Sequence, residues 1–313
     1  MRTRLYILVF CLLALASLPS QAQFDVHFTH YWALQSYYNP AVAGASGRMN
    51  SLGTYSLQMA GYTNAPATML LTADYALPTE EKRHGVSAGL LSDKIGLFNN
   101  QRIFGGYAYR MPLWGGNLAM GVHAGILDQT FDGSKVNAED TNDPVLPSAS
   151  VDGTAFDLSA GIIYTSRQFY AGIASMHLTA PTIKLGETNE INIKRSYYFQ
   201  AGGNIRLNNP LLSVQPSVQF MSDLVSWRAD ITARGTYTYD EKSYYAGLTY
   251  SPFTSVALLL GGEINSVRFG YAYELFTNGV GLIQGSHDLF VGYVMDLDLG
   301  KKGKNKHKSV RIL

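Results

Sequence analysis

The chain has 313 residues, 46% of them hydrophobic but only 15% charged, with 31 glycines, 21 tyrosines, one cysteine and a net charge of +1. This composition excludes a disordered chain, a coiled coil and a disulfide scaffold, and the near-zero charge argues against a nucleic-acid partner. Few charges with many glycines and aromatics describe a surface that need not face water, on a chain long enough to bury a large core.

Residues 1–22 read as a secretory signal peptide. Arg2 and Arg4 precede an apolar run from Leu5 to Leu18, and Ser20-Gln21-Ala22 supplies a small-x-small cleavage site. A lipoprotein signal ending at Cys11 is the rival, but Phe10 stands where a small residue is needed. Beyond residue 22 there is no cysteine, as expected of an exported protein held together without disulfides. The longest aliphatic run after the signal, Val256 to Leu260, is far below the ~18 residues of a spanning helix.

From Met49 onward the chain alternates with period two. Trp227, Ala229, Ile231, Ala233, Gly235, Tyr237 and Tyr239 share one strand face, and Arg228, Asp230, Thr232, Arg234, Thr236 and Thr238 share the other. Tyr197–Leu207, Val267–Leu275 and Phe156–Tyr164 repeat the pattern. The segments exceed the ~5–6 residues of soluble strands and reach the ~9–11 of spanning ones. Ten steps from Trp227 to Tyr237 cover roughly 33 Å of strand. At a ~40° tilt that is about 25 Å of height, the apolar band between the aromatic girdles of an outer-membrane barrel.

Fourteen such segments start near Met49, Pro66, Arg83, Asn100, Gly116, Gly153, Gln168, Arg195, Leu211, Ser226, Lys242, Thr254, Ser266 and Ser286. Long connections (Ser92–Asn99, Asp128–Asp152, Thr179–Lys194, Thr277–Gly285) alternate with tight ones (Ser166-Arg167, Asn208–Pro210, Asp240-Glu241, Asn265). The expected fold is therefore all-β, a transmembrane outer-membrane barrel of 14 antiparallel strands. The expected division is a signal peptide at 1–22, an N-terminal segment at 23–48 that is either periplasmic or a plug, the barrel at 49–299, and a basic periplasmic tail at 300–313.

Catalytic and metal-binding chemistry is sparse. Gly85-Val86-Ser87-Ala88-Gly89 matches a G-x-S-x-G nucleophile elbow, but no helix follows, and small residues in a barrel strand explain it. The seven histidines hold no H-E-x-x-H pair, and the acidic loop Asp128–Asp152 lacks calcium-loop spacing. No catalytic residue, cofactor or metal is expected. Asp157, Arg206, Arg228, Asp230, Arg234, Arg268 and Glu274 fall on the polar face, where pairing of opposite charges is the expected filling. Residues 23–300 carry 16 basic and 23 acidic residues, whereas Lys301, Lys302, Lys304, Lys306, Lys308 and Arg311 give the end of the chain a charge of +6. That tail is either solvated charge or a handle for docking partners.

Several short motifs in order resemble one family. Phe28-Thr29-His30-Tyr31 and Asn39-Pro40-Ala41-Val42-Ala43-Gly44 are similar to the N-terminal signature of the PorP/SprF family of type IX secretion system membrane proteins. Pro66-Ala67-Thr68, Asp93-Lys94-Ile95-Gly96, Phe169–Gly172, His177-Leu178 and Ser286-His287-Asp288 extend the likeness over the rest of the chain. His30 stands in place of a family Gln, and Asp288 in place of a Glu. The resemblance implies a non-enzymatic outer-membrane barrel of Bacteroidota that supports export or surface display of cargo, or gliding. The implied partners are outer-membrane lipids, the periplasmic PorK–PorN ring, a PorE-like peptidoglycan-binding protein, and the translocon or secreted cargo. The signature residues, structural or partner-facing, are Phe28, Tyr31, Asn39, Pro40, Ala41, Gly44, Asp93, Gly96 and His287. Two other readings stay open. A fourteen-strand barrel behind an N-terminal segment also describes fatty-acid channels, and long outer loops suit an adhesin.

Overall fold

The computed structural model describes residues 25–78, 83–135, 149–186, 189–278 and 285–297. The signal peptide and the basic tail lie outside the described residues. Fourteen antiparallel strands form one closed wall. They are β1 (Met49–Leu57), β2 (Ala67–Ala76), β3 (His84–Ile95), β4 (Phe98–Leu113), β5 (Gly116–Asp132), β6 (Ser150–Thr165) and β7 (Phe169–Met176). Next come β8 (Ser196–Gly203 continuing as Ile205–Arg206), β9 (Leu212–Ser222), β10 (Trp227–Tyr239), β11 (Lys242–Ser251), β12 (Ser255–Ile264), β13 (Val267–Phe276) and β14 (Ser286–Met295). Each strand pairs with its chain neighbours, and β1 pairs with β14 from Met49↔Met295 to Leu57↔His287, which removes both sheet edges. Every strand begins within three residues of its sequence expectation.

Burial follows the period-two pattern. On β10, Asp230, Thr232, Arg234 and Thr236 turn inward and are buried, while Ile231 (52% exposed), Ala233 and Tyr237 face out. Register marks where the lipid face stops. Leu90, Ile103, Ile126 and Phe156 are direct neighbours across β3–β6, and one row further along stand Ser92, Gln101, Asp128 and Thr154. The outward surface changes from apolar to polar between those two rows. β4, β5 and β6, of 16, 17 and 16 residues, continue past this line as a taller wall.

The rim reached by the ends of β3, β5 and β7 carries the connections 133–149 and 177–195, and is called the loop rim here. The opposite, turn rim closes with two-residue turns at Trp114-Gly115, Asp240-Glu241 and Asn265-Ser266. Both residues of each have positive φ, the geometry that matches strand twist. Two connections differ from expectation. Ser92–Asn99 is not a long loop, because β3 and β4 run through it to a turn at Gly96-Leu97, where Gly96 has φ +59°. The loop within Asp128–Asp152 is also shorter, because β5 extends to Asp132 and β6 starts at Ser150. In both cases pairing continues above the membrane line, so strand length reports wall height as well as bilayer thickness.

Residues 177–195 contain a hairpin, Thr182–Leu185 with Asn189–Asn192. It folds against the inner side of the tall wall. Ile183, Leu185 and Ile193 form a core with Leu127, flanked by Phe98, Phe131, Val151 and Ala155. Gly153 makes room, since a Cβ there would fall 2.1 Å from the Lys184 carbonyl oxygen.

Residues 25–48 occupy the lumen. Phe28, Tyr31, Leu34, Tyr37 and Tyr38 pack into one core with inward residues of eight of the fourteen strands, among them Leu52, Leu70, Phe104, Tyr198, Met221 and Phe290. The segment spans the barrel from end to end. Asp25 contacts His177, just past the loop-rim end of β7, while Arg48 leads into β1 at the turn rim.

Candidate functional site

The site is the contact between this plug and the wall. Its turn-rim half is the signature Asn39–Gly44, which includes a helical turn, Pro40–Val42. Pro40 suits the first position of that turn because it has no N–H to leave unsatisfied. Asn39 caps it, its side-chain oxygen accepting from Ala41 N at 3.0 Å. The same side chain donates through Nδ2 to the carbonyls of Ile162 and Ile173, at 3.2 and 3.3 Å. One residue thus shapes the plug and ties it to β6 and β7. The backbone lies flat on two wall glycines, and the Asn39 side chain lies on a third. A Cβ at Gly85 would stand 2.0 Å from Ala43 O, at Gly121 2.5 Å from Ala41 N, and at Gly161 2.2 Å from Asn39 Oδ1. Gly44 has φ +70°, and its N–H donates to Asp74 at 2.9 Å, while Arg110 donates to the carbonyls of Ala43 and Gly44.

The loop-rim half is held by polar and charged groups. Asp25 lies 2.8 Å from His177 Nε2 and accepts from the Tyr198 hydroxyl at 2.7 Å. His177 Nδ1 is 3.1 Å from Asp157, which also pairs with Arg102 at 3.0 Å. Burial works to raise the Asp25 pKa, but the His177 charge and three side-chain hydrogen bonds overcome it and hold the group at about 2. Burial likewise works to lower His177, but Asp25 and Asp157 outweigh it and push the imidazole up to about 9. Further tethers complete the ring. His27 Nε2 lies 3.1 Å from Asp230, Thr29 N donates to Asp288 at 2.7 Å, and the Tyr31 hydroxyl is 3.0 Å from both Ser217 and Thr232.

The inward charges mostly pair as expected: Arg228 with Asp230 and Glu274, and Arg102 with Asp157. Arg206 is the correction. It keeps its register opposite Ser213 on β9, but it is the last residue of β8, at the turn rim, and is exposed. The cavity beneath the loop hairpin, lined by Asp25, Tyr37, Asp93, Arg102, His177 and Ile183, measures about 30 Å³. That is room for about two waters.

The signature residues separate into groups. Phe28, Tyr31, Asn39, Pro40, Ala41 and Gly44 are brought together in the plug. Asp93 faces the lumen and accepts from Thr68 at 2.6 Å. Gly96 is an isolated rim turn, and His287 points outward, 2.7 Å from the Tyr271 hydroxyl. The luminal partner in Ser286-His287-Asp288 is Asp288, which holds Thr29 and Thr54. The lysines and arginine of the tail, Lys301 to Arg311, lie outside the described residues. Ser87, within G-x-S-x-G, is on a straight strand. Its hydroxyl meets His123 at 3.1 Å in a fully packed spot, with Phe104 against the imidazole. Sequence reading missed Gly85, Gly121 and Gly161 as plug contacts and Asp25 as the partner of His177. Nothing local signals them, because the fold creates the contacts.

The chain matches the family model of the type IX secretion system membrane protein PorP/SprF over residues 20–293. It belongs to the PorP/SprF family. With its closed barrel, it is an outer-membrane component of the type IX secretion system. Among solved structures this PorP/SprF barrel is similar to a Pseudomonas aeruginosa FadL homologue (TM-score 0.53, 11% identity, covering 88% of this chain and 100% of that one). It is also similar to the CymD monoaromatic hydrocarbon channel (0.50, 13%, 89% and 95%) and the Ralstonia pickettii toluene transporter TbuX (0.50, 14%, 89% and 96%). At such identities the likeness is one of fold. No curated protein matches the chain.

Proposed function

We propose that the protein is a non-enzymatic, plugged platform that supports export or surface display of type IX cargo, and gliding where the cargo is an adhesin. The observation that carries this reading is the filled lumen. Residues 25–48 are bonded to strands around the wall, and the cavity at the loop rim holds about two waters rather than a solute. Such a barrel acts through its two rims. The turn rim faces the periplasm in barrels of this type, where the PorK–PorN ring, a PorE-like protein and the translocon are the partners to expect. The basic tail would add to that face. The alternative is a channel for hydrophobic small molecules, for which the fold likeness to hydrocarbon channels is the only support.

A pull-down from native membranes in mild detergent separates the two. Periplasmic secretion proteins that co-purify, and lose cargo export when the barrel gene is deleted, support the platform. A co-purified hydrophobic ligand with normal export and no protein partner overturns it.

A further inference from the structure

The loop-rim part of β6 has an open edge. β6 runs from Ser150 to Thr165, but β7 ends at Met176 and pairs with it only from Thr165↔Tyr170 to Ala160↔Ser175. Two more bonds continue the line. Leu178 N donates to Leu158 O at 2.8 Å, and the Thr179 hydroxyl donates to Phe156 O at 3.2 Å. Along a strand in an antiparallel ladder, alternate residues turn their N–H and C=O groups to opposite sides. Leu158 and Phe156 therefore fix the parity: Ser150, Asp152 and Thr154 also aim their backbone groups away from β5. Among the described residues nothing bonds to those groups.

The hairpin within residues 177–195 does not close this edge. It pairs within itself and lies on the inner side of the wall, with its Lys184 carbonyl against Gly153. Its core covers Val151 and Ala155 from the lumen. The side chains of Ser150, Asp152, Thr154 and Phe156 stay exposed on the outside. Phe156 stands in the last apolar row of the outward surface and Thr154 in the first polar one, so the open run lies just above the membrane line. From Ser150 to Thr154 it measures roughly 13 Å, at ~3.3 Å per step. An unpaired row of N–H and C=O groups of this kind is a template for another strand.

We propose that Ser150–Phe156 is a strand-addition site that receives an extended segment of an exported polypeptide. The proposal deepens the platform reading, on which its setting at the outer surface rests. In this mode main-chain hydrogen bonds give affinity and alternate side chains give selectivity. The lysines of the neighbouring loop are answered by other acids, Lys184 by Glu190 and Lys194 by Asp223. Asp152 has no cation within ion-pair distance among the described residues. Side chains directly opposite on paired strands lie ~4.5–5.5 Å apart. The segment that fits therefore carries a basic residue opposite Asp152 and an apolar one opposite Phe156, four positions apart on one face. A second copy in the same membrane would bring the same N–H groups to the same height, donor against donor, and does not fit.

The test uses the full chain in detergent. Hydrogen exchange should show the Asp152 and Thr154 amides exchanging about tenfold or more faster than those of Gly153 and Ala155, which face β5. Protection at 152 and 154 would mean that the chain covers its own edge, and would overturn the proposal. The binding probe is a fluorescent peptide, Thr-Lys-Thr-Val-Thr-Leu-Thr, blocked at both ends. Its anisotropy should rise saturably, with binding weakened about tenfold or more by Asp152→Pro with Thr154→Pro. Proline there removes only donors that point to the open side, and proline is tolerated on strand edges. N-methylation of the peptide's lysine, valine and leucine, or of its threonines, should abolish binding in one case and spare it in the other, because one edge of the peptide meets β6. These two peptides decide the matter if the proline variant does not fold. No saturable binding, or equal binding by both methylated peptides, overturns the proposal. Periplasmic proteins should co-purify with the proline variant as with the parent, so a failed edge leaves the platform reading standing.

Discussion

Residues 39–44 and residues 25–31 both fasten the plug to the wall, but by different means. The first group lies against glycine, by its backbone at Gly85 and Gly121 and by the Asn39 side chain at Gly161, with contacts that a single methyl group would destroy. The second reaches the wall through side chains that carry charge or share protons: Asp25 with His177, His27 with Asp230, and Tyr31 with Ser217 and Thr232. Shape fixes one end and electrostatics the other. A close-packed contact has no partial state, whereas a hydrogen-bonded ion pair can be weakened in steps by pH or substitution. The plug is therefore anchored at the turn rim and latched at the loop rim.

The largest expected effect comes from filling the anchor. Gly85→Val together with Gly121→Val should drive residues 39–44 off the wall, at a cost above the ~1–3 kcal/mol of one overpacked site. Loss of heat-modifiable gel mobility, or new protease cleavage within 39–48, would show it; unchanged mobility and protection would mean that the close contacts do not hold the plug. Next is His177→Ala, which leaves Asp25 and Asp157 facing each other without their shared cation. Removing one partner of a buried pair costs about 3–5 kcal/mol. A spin label at Val26→Cys should then become mobile while one at Val42→Cys stays immobile, and equal mobility at both sites would erase the distinction between latch and anchor.

A third test is pH. The folded pKa of His177 is raised to about 9, so its contribution is full below the unfolded value of ~6.5 and is lost as pH rises through 9. Asp25 is lowered to about 2, so its contribution is full above ~3.9 and is lost as pH falls through 2. The label at Val26 should therefore be most immobile between about pH 4 and 6.5 and loosen progressively toward pH 10. A flat response across that range would mean the histidine is not the latch. The smallest effect is Asn39→Ala, about 0.5–2 kcal/mol for a lost cap, plus the two bonds to the wall. Differential scanning calorimetry should show a modest fall in melting temperature with the barrel intact.

The barrel was legible because a strand that faces lipid on one side and a polar lumen on the other must alternate, and alternation survives in a single sequence. Trp227–Tyr239 shows it residue by residue. The heights of β3–β6 were less legible, since Ser92, Gln101, Asp128 and Thr154 look like loop residues although they pair above the membrane line. The signature Asn39–Gly44 was visible as a motif, but its purpose was not. That purpose lies in Gly85, Gly121 and Gly161, distant in sequence and ordinary among 31 glycines. His287 stood out for its residue type, yet Asp288 beside it faces the plug, because adjacent strand residues point to opposite sides.

Single-channel recording in planar bilayers tests the central claim, that residues 25–48 close the lumen. The intact protein should be electrically silent, His177→Ala should flicker, and a chain lacking residues 25–48 should conduct steadily. Steady conductance by the intact protein, unaltered when residues 25–48 are removed, would contradict a plugged barrel.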